Sequence, residues 1–319
     1  MRKIRGLLAL VVNGLIDLVV YTTHSGLIFR NREKTIGALI TFNYHSIEKG
    51  LSMPVIKYGF GQEKIKLLIR MIKDYIKNDY NVYYSQFIAA CSVLAKYYLF
   101  HADAKYDISR FFKDADYQII RRYSDSNIGG STEIDGKSYF GEVRSDYINF
   151  SKSRHSIRNF NSIPVDVNKI ENAVNLAKYC PSACNRQSSK VYLVQNKLVI
   201  SEILKIQQGI NATSDFIYQL LVVTSNRSYF FTSGERNQHF IDGGIFLHSL
   251  LLALHYEQIA ACPLHWSLNY REDNKIKKIV GLSDGEKVIA LVAIGNVEAK
   301  FKVPASHRKN IGELFSVVE

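Results

Sequence analysis

Hydrophobic positions recur at helical spacing through most of the first 120 residues and at strand spacing only beyond residue 189. Ile65, Leu68, Ile72, Tyr75 and Ile76 fall on one side of a 3.6-residue repeat, with Lys64, Lys66, Arg70, Lys73 and Lys77 largely opposite, which predicts a helix over 63–78. A second follows over 84–101, carrying Phe87, Ile88, Val93, Leu94 and Tyr98. Before them, Leu7 to Val20 is apolar except for Asn13 and Asp17, which lie four apart and share one face while Leu8, Val11, Leu15 and Leu18 form another. This is an amphipathic helix, shorter than the roughly 20 residues a bilayer span needs. The expectation is a helix packed in an N-terminal domain; the alternative is a helix lying on acidic lipid, with Arg2, Lys3 and Arg5 as its basic flank. Tyr44 to Leu51, followed by Pro54 and Tyr58-Gly59-Phe60-Gly61, reads as a polar loop. There His45, Glu48 and Lys49 either touch substrate or form a surface helix turn held by local charge pairs, and the surface helix turn is the expectation.

The stretch Tyr123 to Gly141 collects Gly, Ser, Asn and Asp, residues that satisfy turn backbone locally. It marks a boundary: a helical N-terminal domain over 1–122, a linker over 123–149, and a second domain over 150–319. In the second domain Ile163-Pro164-Val165-Asp166 starts a helix with Ile170, Ala173, Val174 and Ala177 at core spacing, and Pro181 ends it. Strands are expected over 190–195, 219–224, 259–262 and 286–296, a short helix over 198–208, and a long one over 235–256. The class is α+β, a central mixed or antiparallel sheet flanked by helices and preceded by a mainly helical domain. Gly243 and Gly244 inside the long helix cost about 1 kcal/mol each against alanine, so close packing is expected there. His248 and His255, on the same helix, are assigned no role.

Of the 319 residues 47% are hydrophobic, enough for a sizeable core. The 41 Lys and Arg against 29 Asp and Glu leave a charge of +12, which favours anionic partners: nucleic acid, acidic lipid or a phosphorylated cofactor. No helix-turn-helix or zinc-finger spacing and no basic run interleaved with aromatics is present, so nucleic acid is set aside. Four cysteines make no disulfide framework and fit a reducing, cytoplasmic compartment. Cys180 and Cys184 have no His or Cys partners at metal-ligand spacing and read as small buried thiols around a turn.

The densest chemistry is Ser151 to Phe160, SKSRHSIRNF. Arg154, His155, Ser156 and Arg158 offer forked guanidinium donors, an imidazole and a hydroxyl within five residues, a set suited to phosphate. Pro181-Ser182-Ala183-Cys184-Asn185-Arg186-Gln187 follows the helix as a tight turn, expected to leave backbone N–H groups free beside small side chains and to suit a flat ligand. Near the C-terminus, Lys302 to Lys309 carries Ser306 and Arg308. No G-x-G-x-x-G follows a strand, which argues against a separate dinucleotide domain.

Taken in this order and spacing, the three segments resemble the nitroreductase family of FMN-dependent flavoenzymes, over residues 150 to 319. The resemblance implies that Arg154, His155, Ser156, Ser306 and Arg308 hold the FMN phosphate and ribityl chain, with Arg158 at the N1/O2 edge of the ring. It implies an obligate homodimer in which Pro181, Ser182, Ala183, Asn185 and Gln187 reach the flavin of the other subunit, with the long helix at the dimer core. Gln208 and Asn211 would approach the pyrimidine side, and Leu264, His265 and Trp266 would lie along the ring near N5. The activity implied is NADH- or NADPH-dependent reduction of a small organic acceptor by ping-pong hydride transfer, the flavin carrying the chemistry and no catalytic side chain being needed. Many family members continue the second motif with Pro-Trp where this chain has Gln187-Ser188-Ser189, a departure at the acceptor pocket. Two other readings stay open: a flavin-dependent oxidase or dehydrogenase of a biosynthetic intermediate, and a non-catalytic membrane-peripheral or partner-binding module with a vestigial flavin site.

Overall fold

The computed structural model describes residues 2–24, 33–209 and 211–318. The chain divides into two compact units, one of Met1–Gly14 with Asp135–Phe301 and one of Leu15–Ile134 with Lys302–Glu319. The C-terminal segment, assigned from the sequence to the second domain, thus groups with the helices of the first half.

Helix α1 (Arg2–His24) opens the chain. It is not the packed helix expected: its large apolar side chains, among them Leu7, Leu8, Leu15 and Leu18, are exposed. Helix α2 (Glu33–Leu51) replaces the expected loop at 44–51. Tyr44, Ile47, Glu48 and Leu51 recur at helical spacing and are all buried, so this stretch is helical, as the favoured helix turn has it, but packed as a helix end and not on the surface. Helices α3 (Gln62–Lys77), α4 (Ser85–Asp103) and α5 (Asp114–Arg121) complete the helical unit. Its core stacks Ile40, Ile65, Leu68, Ile72, Phe87 and Leu94, all below 1% exposed, each worth about 1.5–3 kcal/mol by transfer from water. Tyr75 stacks on Phe87 with ring centroids 4.8 Å apart.

The expected linker is ordered. Strand β1 (Ser131–Asp135) pairs with β6 (Lys300–Pro304) in a two-stranded sheet, and helix α6 (Tyr147–Ser153) starts at Asp146, whose carboxylate accepts from the Ile148 and Asn149 amides at 2.9 and 3.0 Å.

In the other unit, α7 (Val167–Ala177), β2 (Ser189–Val194), α8 (Lys197–Gln207), β3 (Gln219–Asn226), α9 (Gln238–Tyr256), β4 (Ala260–His265), α10 (Tyr270–Val280) and β5 (Glu286–Gly295) follow in chain order. The sheet is fully antiparallel in the order β2-β3-β5-β4. Strands β3 and β5 are central and almost wholly buried, which explains their continuous apolar runs. Helix α9 crosses the sheet on the stripe His239, Gly243, Phe246, Leu250 and Leu254, and α7 lies against it. Gly243 lets it settle: a Cβ there would stand 2.6 Å from Ile289 Cγ1 and 3.3 Å from Ser225 Cβ. Gly244 has no such reason within the chain, since its Cβ would meet nothing within 4 Å.

Candidate functional site

The first motif leaves α6 as an extended strand-like segment. Ser156 forms a parallel bridge with Ala261, and the Ile157 amide donates to the Ala261 carbonyl at 3.0 Å, so the segment lines the open edge of β4. Ile157 and Phe160 are each 1% exposed and anchor it, while Arg154, His155, Ser156 and Arg158 stay half-buried. Arg158 Nη1 donates to the Ser156 carbonyl at 3.2 Å. Tyr139 Oη accepts from the His155 amide at 3.1 Å, holding the backbone beside Arg154.

Behind the segment lies His255, assigned no role from the sequence. Ser153 Oγ donates to the Phe150 carbonyl at 2.9 Å, so its bond to His255 Nε2 at 2.8 Å is donated by the imidazole. Burial first, then the charges of Arg154 and His155, hold the His255 pKa down to about 4, and the ring is neutral at pH 7.

The same edge carries the third candidate segment. Alternation along β4 turns the peptide groups of Ala261, Pro263 and His265 away from β5, which is why a proline without an N–H is tolerated at 263. The His265 carbonyl accepts from Gln207 Nε2 at 3.2 Å, which brings the end of α8, with Gln208 in left-handed conformation (φ 60°), to this edge. Leu264 is buried. Trp266 is 6% exposed, and its indole N–H donates to Asp273 Oδ1 at 2.7 Å, so the side chain is a core anchor onto α10. Asn211 opens a short 3-10 turn, and its side chain lies outside the described residues.

The second motif sits at the opposite edge, just before β2. Cys184, Asn185 and Gln187 all have positive φ, at 51°, 57° and 50°, a concentration of backbone strain that the surroundings must hold. They do so through side chains. Asp242 of α9 accepts from the Ala183 amide at 3.1 Å and from Gln238 Nε2 at 2.8 Å, and Ser182 Oγ accepts from the Gln187 amide at 3.1 Å. Arg186 donates to the carbonyls of Ala183 and Tyr229 at 3.0 and 2.9 Å and forms an ion pair with Glu235, whose pKa it holds at about 2. The Ala183, Asn185 and Gln187 amides are therefore engaged within the fold, not free as the sequence suggested. Pro181 and Asn185 are exposed, and Cys184 is exposed where a buried thiol was expected. All four cysteines are free thiols, and no group of metal-ligating side chains occurs among the described residues.

Strands β3, β5 and β4 stand between β2 and the first motif, so the two motifs lie at opposite edges of the sheet of one chain. Beside the second motif, Ser188, Lys190, Tyr192, Asn226, Ser283 and Glu286 line a polar pocket of about 400 Å³. Glu286 accepts there from Tyr192 Oη and Thr224 Oγ1, both at 2.8 Å.

Ser306 and Arg308 belong to the helical unit. Ser306 has φ 48°, and Arg308 Nη1 donates to its carbonyl at 3.2 Å. The His307 carbonyl accepts from Gln86 Nε2 at 3.2 Å, and Gln86 Oε1 accepts from the buried Tyr44 hydroxyl at 2.5 Å. Thr41, Tyr84, Gln86, Arg308, Lys309 and Leu314 are among the residues lining a pocket of about 470 Å³.

Asp242, Arg186, Glu235, Tyr139 and His255 were not identified as supports of the motifs from the sequence. Only Asp242 left a signal, an acid beside two glycines on a helix otherwise apolar over that stretch.

Residues 151–296 match the model of the Nitroreductase family, so this part of the chain is nitroreductase-like, and the match supports an oxidoreductase. It leaves the helical unit outside. No curated protein matches the chain significantly. Among solved structures, similar chains include a nitroreductase-like protein of Streptococcus mutans, with 18% identity, 55% of this chain and 98% of that chain covered and a TM-score of 0.46. An FMN-dependent nitroreductase of Clostridium difficile is 16% identical over 47% of this chain and 87% of its own, with a TM-score of 0.42. A nitroreductase family protein of Clostridium novyi is 23% identical over 48% of this chain and 86% of its own, with a TM-score of 0.41.

Proposed function

We propose that this protein is an FMN-dependent oxidoreductase that takes hydride from NADH or NADPH and passes it to a small organic acceptor. One observation carries the reading. The segment of Arg154, Ser156 and Arg158 is annealed to β4 at Ala261, on the same open edge to which the His265 backbone turns. Two half-buried guanidinium groups and a hydroxyl, beside small residues and a free strand edge, fit a phosphorylated, flat, electron-accepting ligand. Bound FMN would supply the hydride chemistry. The chain's part is placement and charge. Arg154 and Ser156 bind the phosphate, and Arg158 sets positive charge where the reduced ring is anionic. Ser306 and Arg308 are proposed as further phosphate ligands on their motif alone. His255, fixed to Ser153, stays neutral beside Arg154 and so adds no repulsion to the guanidinium of the clamp.

The second motif enters the reading through a homodimer. It lies across the sheet from the first, and the outward side of α9 exposes Phe240 (45%), Ile241 (53%) and Ile245 (38%) around Gly244, whose missing Cβ leaves room for another helix. A second copy docked there would bring its own turn at 181–187 toward the first copy's clamp.

The test is spectroscopic. The purified chain, or the chain reconstituted with FMN, is expected to show flavin absorbance bands that bleach anaerobically with NADH or NADPH. Arg158→Ala is expected to move the flavin midpoint potential to more negative values. A chain that neither carries nor takes up FMN overturns the assignment, and an unchanged potential removes the role of Arg158.

A further inference from the structure

We infer that α1 is a lipid-surface helix that lies in the headgroup region of an anionic bilayer. This rests on the helix itself and not on the flavin reading. Leu7 (64% exposed), Leu8 (63%), Val11 (51%), Leu15 (59%), Ile16 (54%) and Leu18 (59%) stand in water, although each belongs to a residue type that folding normally buries. At 100° per residue these six spread over about half of the helix circumference, and Leu10 (43%) and Val20 (51%), also exposed, widen the apolar arc further. The half-buried positions described are Ala9, Asn13, Asp17 and Thr22, while the large apolar side chains are exposed, so the helix is inside out relative to an ordinary surface helix.

The breadth of the arc and the charge identify the occupant. A second helix would cover only a narrow seam, the two positions in seven of a coiled coil, and would leave most of these side chains wet. A bilayer surface takes a wide arc at once. Arg2, Lys3 and Arg5 open the helix, no acidic residue precedes Asp17, and the chain carries +12, which selects anionic lipid over neutral. The 23 residues of α1 measure about 35 Å, Asn13 and Asp17 interrupt its apolar run, and no helix among the described residues is long and apolar enough to cross a membrane; the orientation inferred is along the surface.

The full-length chain is sedimented with phosphatidylcholine vesicles and with vesicles containing about one quarter phosphatidylglycerol. It is expected to pellet with the anionic vesicles and much less with the neutral ones. Leu8→Asp with Leu15→Asp should lower the partition about tenfold or more, with the thermal midpoint unchanged because both positions are exposed. Arg5→Glu should lower it on anionic vesicles only. The inference is overturned if the wild-type chain stays in the supernatant with both vesicles or if the double variant pellets as well as the wild type. It is also overturned if the double variant changes only the mass measured by light scattering without lipid, which would make the occupant a second copy.

Discussion

Replacing Gly243 by alanine places a methyl group where the structure has no space for one. Its Cβ would stand 2.6 Å from Ile289 Cγ1 and 2.7 Å from Cδ1, with Ser225 Cβ at 3.3 Å. Ile289 is half-buried on β5 and must rotate, or α9 must lift, at a cost of about 1–3 kcal/mol for overpacking. The same change gains about 1 kcal/mol of helix propensity, so the net effect is a loss of about 0–2 kcal/mol. Gly244, one residue on, has no neighbour within 4 Å, and Gly244→Ala keeps only the gain, about 0.5–1 kcal/mol of added stability. Truncating Ile289 to alanine removes the two closest contacts and leaves Ser225 Cβ at 3.3 Å, so in that background the Gly243→Ala loss disappears or turns into a gain of up to about 1 kcal/mol. Urea unfolding of the four chains of this cycle, followed through the transition of the sheet unit, measures the coupling. It is repeated over about a tenfold range of protein concentration, because a contribution from the proposed dimer at Gly244 varies with concentration and a contribution within one chain does not. Equal stabilisation by the two alanines, or a Gly243→Ala loss of the same size with and without the Ile289 side chain, refutes the argument that α9 rests on the sheet through this glycine.

Asp242→Ala is expected to cost about 1–3 kcal/mol by leaving the Ala183 amide without its acceptor, and to raise proteolytic cleavage at 182–187 above that of Asp146→Ala, a cap elsewhere in the unit. His255 and His239 are both held at about 4 by burial, below the ordinary 6.5, so each is neutral when folded and takes up a proton more readily when unfolded. Their stabilising contribution is full well above pH 6.5 and drains away as pH falls toward 4, at most about 1.5 kcal/mol for each between pH 6.5 and 5; a urea midpoint that is flat over that range contradicts it. Trp266→Phe should cost about 1–2 kcal/mol through the lost bond to Asp273 while leaving flavin uptake in place, and loss of flavin with unchanged stability would instead put the indole against the ligand.

Periodicity located the elements well where one face is buried and the other wet: α3, α4, α7 and the four sheet strands fall within a few residues of their sequence positions. It misjudges 44–51, where a density of polar residues reads as a surface loop or helix turn although Tyr44, Ile47, Glu48 and Leu51 stand at the spacing of a buried helix face. In α1 the period was right and the direction wrong, since a repeat of apolar residues says that they share a face and not what covers that face. The motifs themselves were visible as residue types at short spacing. Their supports were not: Asp242 lies 59 residues from Ala183, and His255 lies 102 from Ser153, pairs set by how α9 crosses the sheet. Local pattern carries no trace of such partners.

The return of the C-terminal segment to the helical unit has a consequence for synthesis. Glu313 closes the start of α4, accepting from the Ser85 amide at 3.2 Å and from its hydroxyl at 3.0 Å, across 228 positions of chain. Helix α4 therefore emerges from the ribosome 228 positions ahead of the residue that closes its start, while the intervening sheet has all of its strands to hand sooner. The later-made layer is free to fold before the earlier one is complete, and a cut placed between the two halves of the gene would separate α4 from its own stopper.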